Sequence, residues 1–232
     1  MKKLSIIIPT HKRHPFLLRL LKYYNDYDIP INLIILDSTP DKPQSIELLD
    51  ELQKKNIIWK TYDEEIYIVD KIADGFSYVE TEFSVLCADD DFMIPPSLVK
   101  CVDFLTANPD YTSCQGMFYC HTNAIHANKN GFTFTELYSK ACSSEGETGK
   151  ERFSKKYIEE GSTPALVFYA VHRTSVHSLI WNEGKLYSEG LGYAELFPCA
   201  MSEIYGKSKV LPIFYSSREP NNITIGFVAD KD

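Results

Sequence analysis

The sequence predicts an α/β fold in which a mainly parallel, Rossmann-like sheet is flanked by helices. Short apolar runs recur along the first half of the chain, apolar residues at helical spacing follow them, and polar residues close each run. Strands that are buried on both faces of a parallel sheet read as continuous apolar runs, with helices connecting them. The 232 residues suit one large domain, because single cores stop growing near ~250–300 residues.

The first half of the chain alternates these elements in the order of repeated βαβ units. The predicted strands are residues 4–8, 31–36, 57–62 and 83–88. Pro15 suits the first turn of the first helix, and Asp41 is placed to cap the second. The apolar positions of the four helices are Leu17, Leu20, Leu21 and Tyr24; Ile46, Leu49 and Leu52; Ile68, Ile72, Phe76 and Val79; and, after Pro95 and Pro96, Leu98, Val102 and Leu105.

The alternation weakens after residue 110, so we divide the domain into halves at residues 1–110 and 111–232. Pro198 is expected to kink or delimit the helix in which it lies. The elements predicted for the second half are a strand at 112–120, a polar loop or flexible lid at 121–150, a helix at 151–160, a strand at 165–171, a helix at 193–205 and a strand at 209–215.

Composition and charge exclude several classes of protein. A formal net charge of −8 argues against general nucleic-acid binding, which relies on basic residues to neutralise phosphates. The six cysteines form no CxxC pair, which is typical of a reduced, cytoplasmic protein. No apolar run approaches the ~20 residues that span a bilayer, so we expect membrane contact to be at most peripheral. The spacings His121–His126 and His172–His177 differ from that of helical zinc ligands and indicate structural or surface roles.

Three consecutive aspartates, Asp89, Asp90 and Asp91, follow the fourth apolar run. Two like charges ~4 Å apart repel by about 1 kcal/mol even in water. A helix cap accounts for one aspartate at a strand end, but not for three. A Mg²⁺ or Mn²⁺ ion offsets the repulsion, since both prefer carboxylate oxygens together with substrate phosphates. The run therefore predicts a metal site that anchors a diphosphate.

The ends of three predicted strands should meet in one pocket, because parallel sheets bind ligands at the carboxyl ends of their strands. This rule brings Pro9, Thr10 and Asp37 to the same edge as the aspartates. Thr10 and Asp37 can hydrogen-bond a base or ribose, or they can be ordinary turn residues.

Three basic residues have alternative interpretations of the same kind. Lys12, Arg13 and Lys71 can face phosphates, or they can be solvated surface charges. Lys71 is the more suggestive of the three, because it lies among the apolar positions of its helix.

Three blocks of the sequence resemble family 2 glycosyltransferases with the GT-A fold. They are Ser-Ile-Ile-Ile-Pro-Thr-His-Lys-Arg at 5–13, Leu-Ile-Ile-Leu-Asp-Ser at 33–38 and Leu-Cys-Ala-Asp-Asp-Asp-Phe-Met-Ile-Pro at 86–95. Their order and spacing carry the resemblance, which is strong over residues 4–110 and faint beyond. It implies that residues 1–110 bind a nucleotide-sugar donor and that residues 111–232 bind the acceptor.

The resemblance also implies roles for individual residues. Those that would bind the donor are Pro9, Thr10, His11, Arg13, Asp37, Lys71, Asp89 and Asp90. Asp91, with Asp89, would bind Mn²⁺ or Mg²⁺, although the triplet leaves the register of the DxD-type motif open by one residue.

The catalytic base is the least defined part of the resemblance. The family inverts the anomeric centre by direct displacement, and a carboxylate on the acceptor side deprotonates the incoming hydroxyl. The family usually has an acidic pair at the head of a helix, which residues 188–197 lack. Glu195 is the first choice and Glu189 the second. Both can also be surface glutamates. The chain can also belong to a subset of the family that lacks a working base.

Two other classes stay open besides this one. A nucleotidyltransferase usually has a glycine-rich loop after the first strand, and residues 9–15 contain no glycine. A non-catalytic nucleotide- or sugar-binding module would tolerate the loss of both glutamates. A phosphohydrolase with an aspartyl nucleophile is excluded, since Pro9 and Thr10 occupy the position of its aspartate.

The resemblance finally implies partners and a setting. The donor would be a nucleotide sugar, with a UDP-sugar as first choice, and the acceptor a saccharide or lipid-linked saccharide. Bacterial surface polysaccharide synthesis is the setting that it suggests. The protein would be cytoplasmic, at most peripheral to the inner membrane face.

Overall fold

The structure, a computed structural model, describes residues 3–27, 30–40, 56–123, 132–137, 141–159, 167–187 and 190–219. Within these ranges nine strands form one sheet, and helices pack on both of its faces. The α/β fold that the sequence predicts is confirmed. The predicted helix at Asp41 lies outside the described residues.

The strands are numbered in chain order. Each end of the first four strands agrees with the sequence prediction to within two residues. These are β1 (Leu4–Thr10), β2 (Ile31–Asp37), β3 (Asn56–Thr61) and β4 (Phe83–Leu86). The others are β5 (Phe92–Met93), β6 (Tyr111–Asn123), β7 (Phe132–Leu137), β8 (Val171–Arg173) and β9 (Lys207–Arg218).

Six helices lie between these strands in the described part of the chain. They are α1 (His14–Asn25), α2 (Ile68–Gly75), α3 (Pro95–Ala107), α4 (Gly149–Phe153), α5 (Thr174–Tyr187) and α6 (Leu191–Tyr205). A 3₁₀ turn (Phe76–Tyr78) extends α2, and a π-helical segment (Ser154–Glu159) extends α4. Proline occupies the first turn of α1 and of α3, where its fixed φ and missing N–H suit a helix start.

The sheet has a parallel half and a mixed half. Its strand order is β3-β2-β1-β4-β8-β6-β9-β5, and β7 pairs with β6 outside this path. The strands β3, β2, β1 and β4 are parallel to one another, as βαβ units require. Beyond β4 the pairing is antiparallel except between β6 and β9. The mixed half therefore extends the parallel sheet that the sequence predicts.

Alternate strand residues create two apolar layers, one on each face of the sheet. Ile6 and Ile8 face α1 and α3, whereas Ile7 faces the layer that contains α2 and Trp181 of α5. Each of these three isoleucines is 0% exposed, and burying such a side chain contributes about 1.5–3 kcal/mol. The carboxyl end of β1 is thus fixed by packing on both sides.

Two elements predicted for the second half are wrong. Residues 121–150, predicted as a loop or lid, contain the end of β6 and the whole of β7, in which apolar and polar residues alternate as in an exposed strand. Residues 167–169 form a turn, so the described part of the strand predicted at 165–171 is a strand only from Val171. Pro198 lies inside α6 and does not delimit it. The helix α5 has no counterpart among the predicted elements.

Two histidines, His172 and His177, are buried between β4, β8 and α5. Their rings stack with centroids 4.3 Å apart. His172 Nε2 lies 3.1 Å from the carbonyl oxygen of Val167, and His177 Nδ1 lies 2.9 Å from Ser84 Oγ. Burial lowers the pKa of His172 to about 4 and that of His177 well below its ordinary value. Both rings are therefore neutral at pH 7.

We expect His172 to make the protein less stable in mild acid. Its folded-state pKa lies below the unfolded value, so the unfolded chain takes up the proton first and stability falls as the pH drops from about 6.5 towards 4. A shift of this size corresponds to a loss of ~3 kcal/mol of unfolding free energy by the lower end of that range.

Urea unfolding of the wild type and His172→Gln across this pH range measures the effect. Buried carboxylates titrate in the same range, so the difference between the two proteins, rather than either curve, isolates His172. The variant should have the flatter dependence on pH, and equal slopes would contradict the prediction.

Candidate active site

The carboxyl ends of β1, β2 and β4 meet at one edge of the sheet, as the strand order requires. Thr10 at the end of β1 is the register partner of Asp37 at the end of β2. After β4 the chain turns through Asp89 and Asp90, and Thr10 Oγ1 donates a hydrogen bond of 2.7 Å to Asp89 Oδ2. Three segments that are distant in sequence thus form one polar rim.

Arg13 pairs with the first two aspartates of the triplet. Its Nε donates to Asp89 Oδ1 at 2.9 Å, and its Nη2 forms an ion pair with Asp90 Oδ2. The guanidinium also lies over the ring of Phe16, 4.6 Å from its centroid. Arg13 therefore compensates buried negative charge, and its interpretation as a solvated surface charge is wrong.

The turn that presents Arg13 has an unusual backbone conformation. Lys12 has a φ of 54°, a region that side chains other than glycine rarely adopt. Its N–H donates to Thr39 Oγ1 at 2.8 Å, which holds the turn against the end of β2. Its ammonium group pairs with Glu64 at the surface. Lys12 thus shapes the turn with its backbone, while its charge is paired outside the triplet.

The third aspartate is paired with the last strand. Arg218 Nε, at the end of β9, donates to Asp91 Oδ2 at 2.8 Å. The Arg218 guanidinium lies over the ring of Tyr169, 5.1 Å from its centroid. Neither Arg218 nor Tyr169 was identified from the sequence. Both lie in the second half, where the alternation of strands and helices is weak, and neither is part of a recognisable motif.

Burial dominates the electrostatics of the triplet. It raises the pKa of Asp89 to about 6, although Thr10 and Arg13 lower it. It raises the pKa of Asp91 to about 7, against the opposing charge of Arg218. The charge of Asp90 raises both values further. Because burial and mutual repulsion disfavour the ionised form of these carboxylates, a further cation beside them would stabilise that form.

Lys71 of α2 is buried in the rim and is 3% exposed. Its Nζ donates to the carbonyl oxygen of Thr10 at 3.0 Å and to Ser38 Oγ at 2.9 Å. Burial lowers its pKa to about 8, against the charges of Asp37 and Asp89. Lys71 therefore ties the ends of β1 and β2 together, and its interpretation as a solvated surface charge is wrong.

Asp37 is 1% exposed, and its carboxylate already has several protein partners. The Thr39 N–H donates to Oδ1 at 2.9 Å, and Trp59 Nε1 donates to Oδ2 at 3.3 Å. His14 Nε2 lies 2.9 Å from the same Oδ2. A carboxylate accepts up to about four hydrogen bonds, so about one acceptor position remains for a ligand. His14 and Trp59 were not identified from the sequence, although His14 follows the first block directly.

His11 and Pro9 complete the residues that the sequence assigns to this edge. His11 Nδ1 lies 3.1 Å from both the carbonyl oxygen and Oγ of Ser38. Pro9 lies within β1 as the register partner of Leu36. His11 therefore holds the loop after β1 against the loop after β2, whereas Pro9 is part of the paired strands.

The two candidate bases differ in what the structure describes. Glu195 is exposed on α6, and Glu189 lies outside the described residues. Burial raises the pKa of Tyr169, and the charges of Asp91 and Glu195 raise it further. Tyr169 is therefore neutral at pH 7.

The donor set fits a divalent cation that takes most of its ligands from a substrate. Among the described residues, no group of three or more His, Cys, Asp or Glu side chains is arranged as a metal cage. The two guanidinium groups paired with the three aspartates nevertheless leave one negative charge. Mg²⁺ is commonly bound by one or two carboxylates together with phosphates, and Mn²⁺ accepts the same ligands. Asp91 and Asp89 supply such carboxylates.

A family model described as "Glycosyl transferase family 2" matches residues 5–161. The matched segment runs from β1 through the π-helical segment and contains the whole acidic triplet. No curated protein sequence matches the chain.

The fold is similar to that of solved structures with distant sequences. S. aureus TarS 1-349 in complex with UDP-GlcNAc has a TM-score of 0.66 and 16% identity, with 95% of this chain and 59% of that chain covered. The mannosyltransferase PcManGT from Pyrobaculum calidifontis in complex with GDP-Man and Mn²⁺ has a TM-score of 0.58 and 12% identity, with 97% and 58% covered. The chain thus spans less than two thirds of the length of either structure. The likeness confirms the expected fold.

No helix in the described part of the chain is both long enough and apolar enough to cross a lipid bilayer.

The position of Lys71 predicts a large stability loss for Lys71→Met. The variant removes the hydrogen-bond donor to the Thr10 carbonyl oxygen and to Ser38 Oγ, both of which lie in the rim. We expect the free energy of unfolding to fall by ~1–3 kcal/mol, because these acceptors stay buried without a partner. Urea denaturation measures the loss. Lys12→Met is the matched control, because it breaks only a surface pair and should cost less than about 1 kcal/mol. Equal losses in the two variants would contradict the prediction.

Proposed function

The chain belongs to glycosyl transferase family 2, and from this premise we propose that it moves a sugar from a nucleotide-diphosphate-sugar donor to a hydroxyl group of an acceptor. The reaction forms a bond between the acceptor oxygen and the anomeric carbon and breaks the bond to the diphosphate. We propose that it proceeds with inversion and requires a divalent metal.

The observation that supports this function best is the compensated acidic triplet beside a polar edge. A donor of this class carries a nucleoside and a diphosphate, so its site needs hydrogen-bonding groups next to a place for phosphate charge. Thr10 and Asp37 offer the first at the ends of β1 and β2. Asp89 and Asp91 offer the second after β4, provided that a cation bridges them to the phosphates.

The similar structures support the class of donor. One TarS structure contains UDP-GlcNAc and another contains UDP, whereas PcManGT contains GDP-Man and Mn²⁺. UDP-GlcNAc, UDP and GDP-Man all contain a nucleoside diphosphate. We propose a UDP-sugar as the first donor to test for this chain.

We assign the nucleoside to the edge where Pro9, Thr10 and His11 meet Asp37. Lys71 is directed at protein acceptors, so we assign it to positioning Thr10 and Ser38. The contact of Arg13 with Asp89 and Asp90 orients both carboxylates, which we assign to the donor ribose.

We assign the metal to Asp91, with Asp89 as the second carboxylate. When bound, Mn²⁺ or Mg²⁺ stabilises the negative charge that develops on the departing diphosphate. The protein contributes a buried rim that holds the carboxylates in place and keeps water away from their inner side.

Glu195 is the general base that we propose for the acceptor hydroxyl. It lies on α6 in the acceptor half, where its side chain is exposed to an incoming acceptor. The carboxylate would accept the hydroxyl proton as the oxygen attacks the anomeric carbon. Glu189 is the second candidate. We propose a saccharide or lipid-linked saccharide as the acceptor, in surface polysaccharide synthesis at the cytoplasmic face of the membrane.

A thermal-shift screen of UDP-, GDP-, CMP- and dTDP-sugars tests the donor and the metal. A ligand that binds only the folded state raises its apparent stability. We expect one nucleotide class to raise the melting temperature, and only when Mn²⁺ is present. Asp91→Asn should abolish this rise, whereas Asp103→Asn, an exposed control on α3, should retain it. A full rise in Asp91→Asn would refute its role, and no rise with any donor in the wild type would refute the proposed function.

Glu195→Gln separates a transferase from a binding module. Loss of a general base should lower the transfer rate by ~10²–10⁴-fold while the donor-dependent thermal shift is kept. Glu159→Gln, which removes an exposed glutamate after α4, is the control and should keep the full rate. If Glu195→Gln is fully active, Glu189→Gln is the next variant. Full transfer by both variants would leave the proposed base without support.

A further inference from the structure

The acidic triplet is paired with arginines from two sides, and the two arginines differ in which aspartates they contact. Arg13 reaches Asp89 and Asp90 through two nitrogen atoms and packs on Phe16. Arg218 makes its ion pair with Asp91 through Nε, from the last residue of β9. Its side chain is 25% exposed, compared with 16% for Arg13. Arg218 also packs over the Tyr169 ring, and it is the more exposed of the two arginines.

Arg218 and a metal ion compete for the same carboxylate. Asp91 is 4% exposed, so few oxygen positions are open to a second partner. A guanidinium and a divalent cation on one carboxylate also repel each other, and the repulsion is stronger at a buried site than in water. In the absence of a diphosphate, a metal ion must either displace Arg218 from Asp91 or bind despite repulsion by its positive charge.

A diphosphate changes this balance. It brings negative charge to the same place, and a guanidinium binds phosphate oxygens in a bidentate geometry that suits it well. Once phosphates are present, Arg218 and the metal neutralise different groups and no longer compete. Binding of metal and of diphosphate should then be cooperative, and such coupling is reciprocal.

We propose that Arg218 is a built-in counter-cation of Asp91 that keeps the metal from binding alone and couples metal binding to the arrival of the donor diphosphate. This inference rests on the proposed function for the identity of the diphosphate ligand. It assigns Arg218 a role in the order of binding. It also explains why a residue of the acceptor half contacts the metal-binding carboxylate.

Isothermal titration of Mn²⁺ into the full chain tests the competition. The variants are R218Q, R218M as a second neutral replacement, R218K, and R19Q as a control. Arg19 carries the same charge nearby, where it pairs with Glu219 and donates to the Asp90 carbonyl oxygen. We expect R218Q and R218M to bind Mn²⁺ at least about 5-fold tighter than the wild type. R218K and R19Q should stay within about 2-fold of the wild type, because the charge at Asp91 is kept.

Inorganic pyrophosphate and UDP, titrated with and without Mn²⁺, test the coupling. In the wild type each should tighten Mn²⁺ binding at least about 5-fold, and in R218Q by clearly less. Adding Asp91→Asn to R218Q should remove the gain in Mn²⁺ affinity. Circular dichroism of each variant verifies that it is folded.

Several results would overturn the inference. Unchanged or weaker Mn²⁺ binding in both R218Q and R218M would do so, as would an equal gain in R19Q, which would indicate a general charge effect. Equal coupling in R218Q and the wild type would do so as well. These measurements are independent of sugar transfer, so a failure of the nucleotide-sugar screen with a clear gain in R218Q would refute the proposed function and leave the competition at Asp91 standing.

Discussion

Compensation of buried negative charge at the carboxyl edge of the sheet is the constraint on which the rest of the site depends. Asp37, Asp89 and Asp91 are 1%, 5% and 4% exposed. A buried charge without a partner costs several kcal/mol, so each carboxylate requires donors from elsewhere in the fold. The donors come from separate elements: the turn after β1 gives Arg13 and β9 gives Arg218. The site is therefore formed only when the fold brings these separate elements together.

The same constraint explains why Lys71 faces the protein. An ammonium group that is buried loses its hydration, and the pKa of Lys71 falls to about 8 because the nearby carboxylates offset only part of that loss. The carbonyl of Thr10 and the hydroxyl of Ser38 replace the lost water. One helix thereby fixes the relative positions of the β1 and β2 ends, and the geometry of the edge depends on the core that positions α2.

The sequence predicts the parts of this site that depend on local pattern. Apolar runs define β1, β2 and β4, and the rule for parallel sheets then brings Thr10 and Asp37 to the triplet. Patterns do not identify partners that only the folded chain brings together, such as Trp59 at Asp37 and Tyr169 at Arg218. They also failed for β7, which pairs with the last part of β6, because its short alternation of apolar and polar residues lies within a long polar stretch of the sequence.

The irregular pairing of β6 with β9 is what brings Arg218 to Asp91. Ser113 pairs with Ser208, but Cys120 pairs with Arg218, so β9 gains three residues over β6 across the two register shifts between them. An odd shift exchanges the faces of all later residues of a strand. A regular ladder would put Tyr215 opposite Cys120 in place of Arg218. Bulges of this kind re-aim side chains next to functional sites, and they leave no periodic signal in the sequence. The second half of the chain therefore contributes to the acidic rim through the irregular part of its strands.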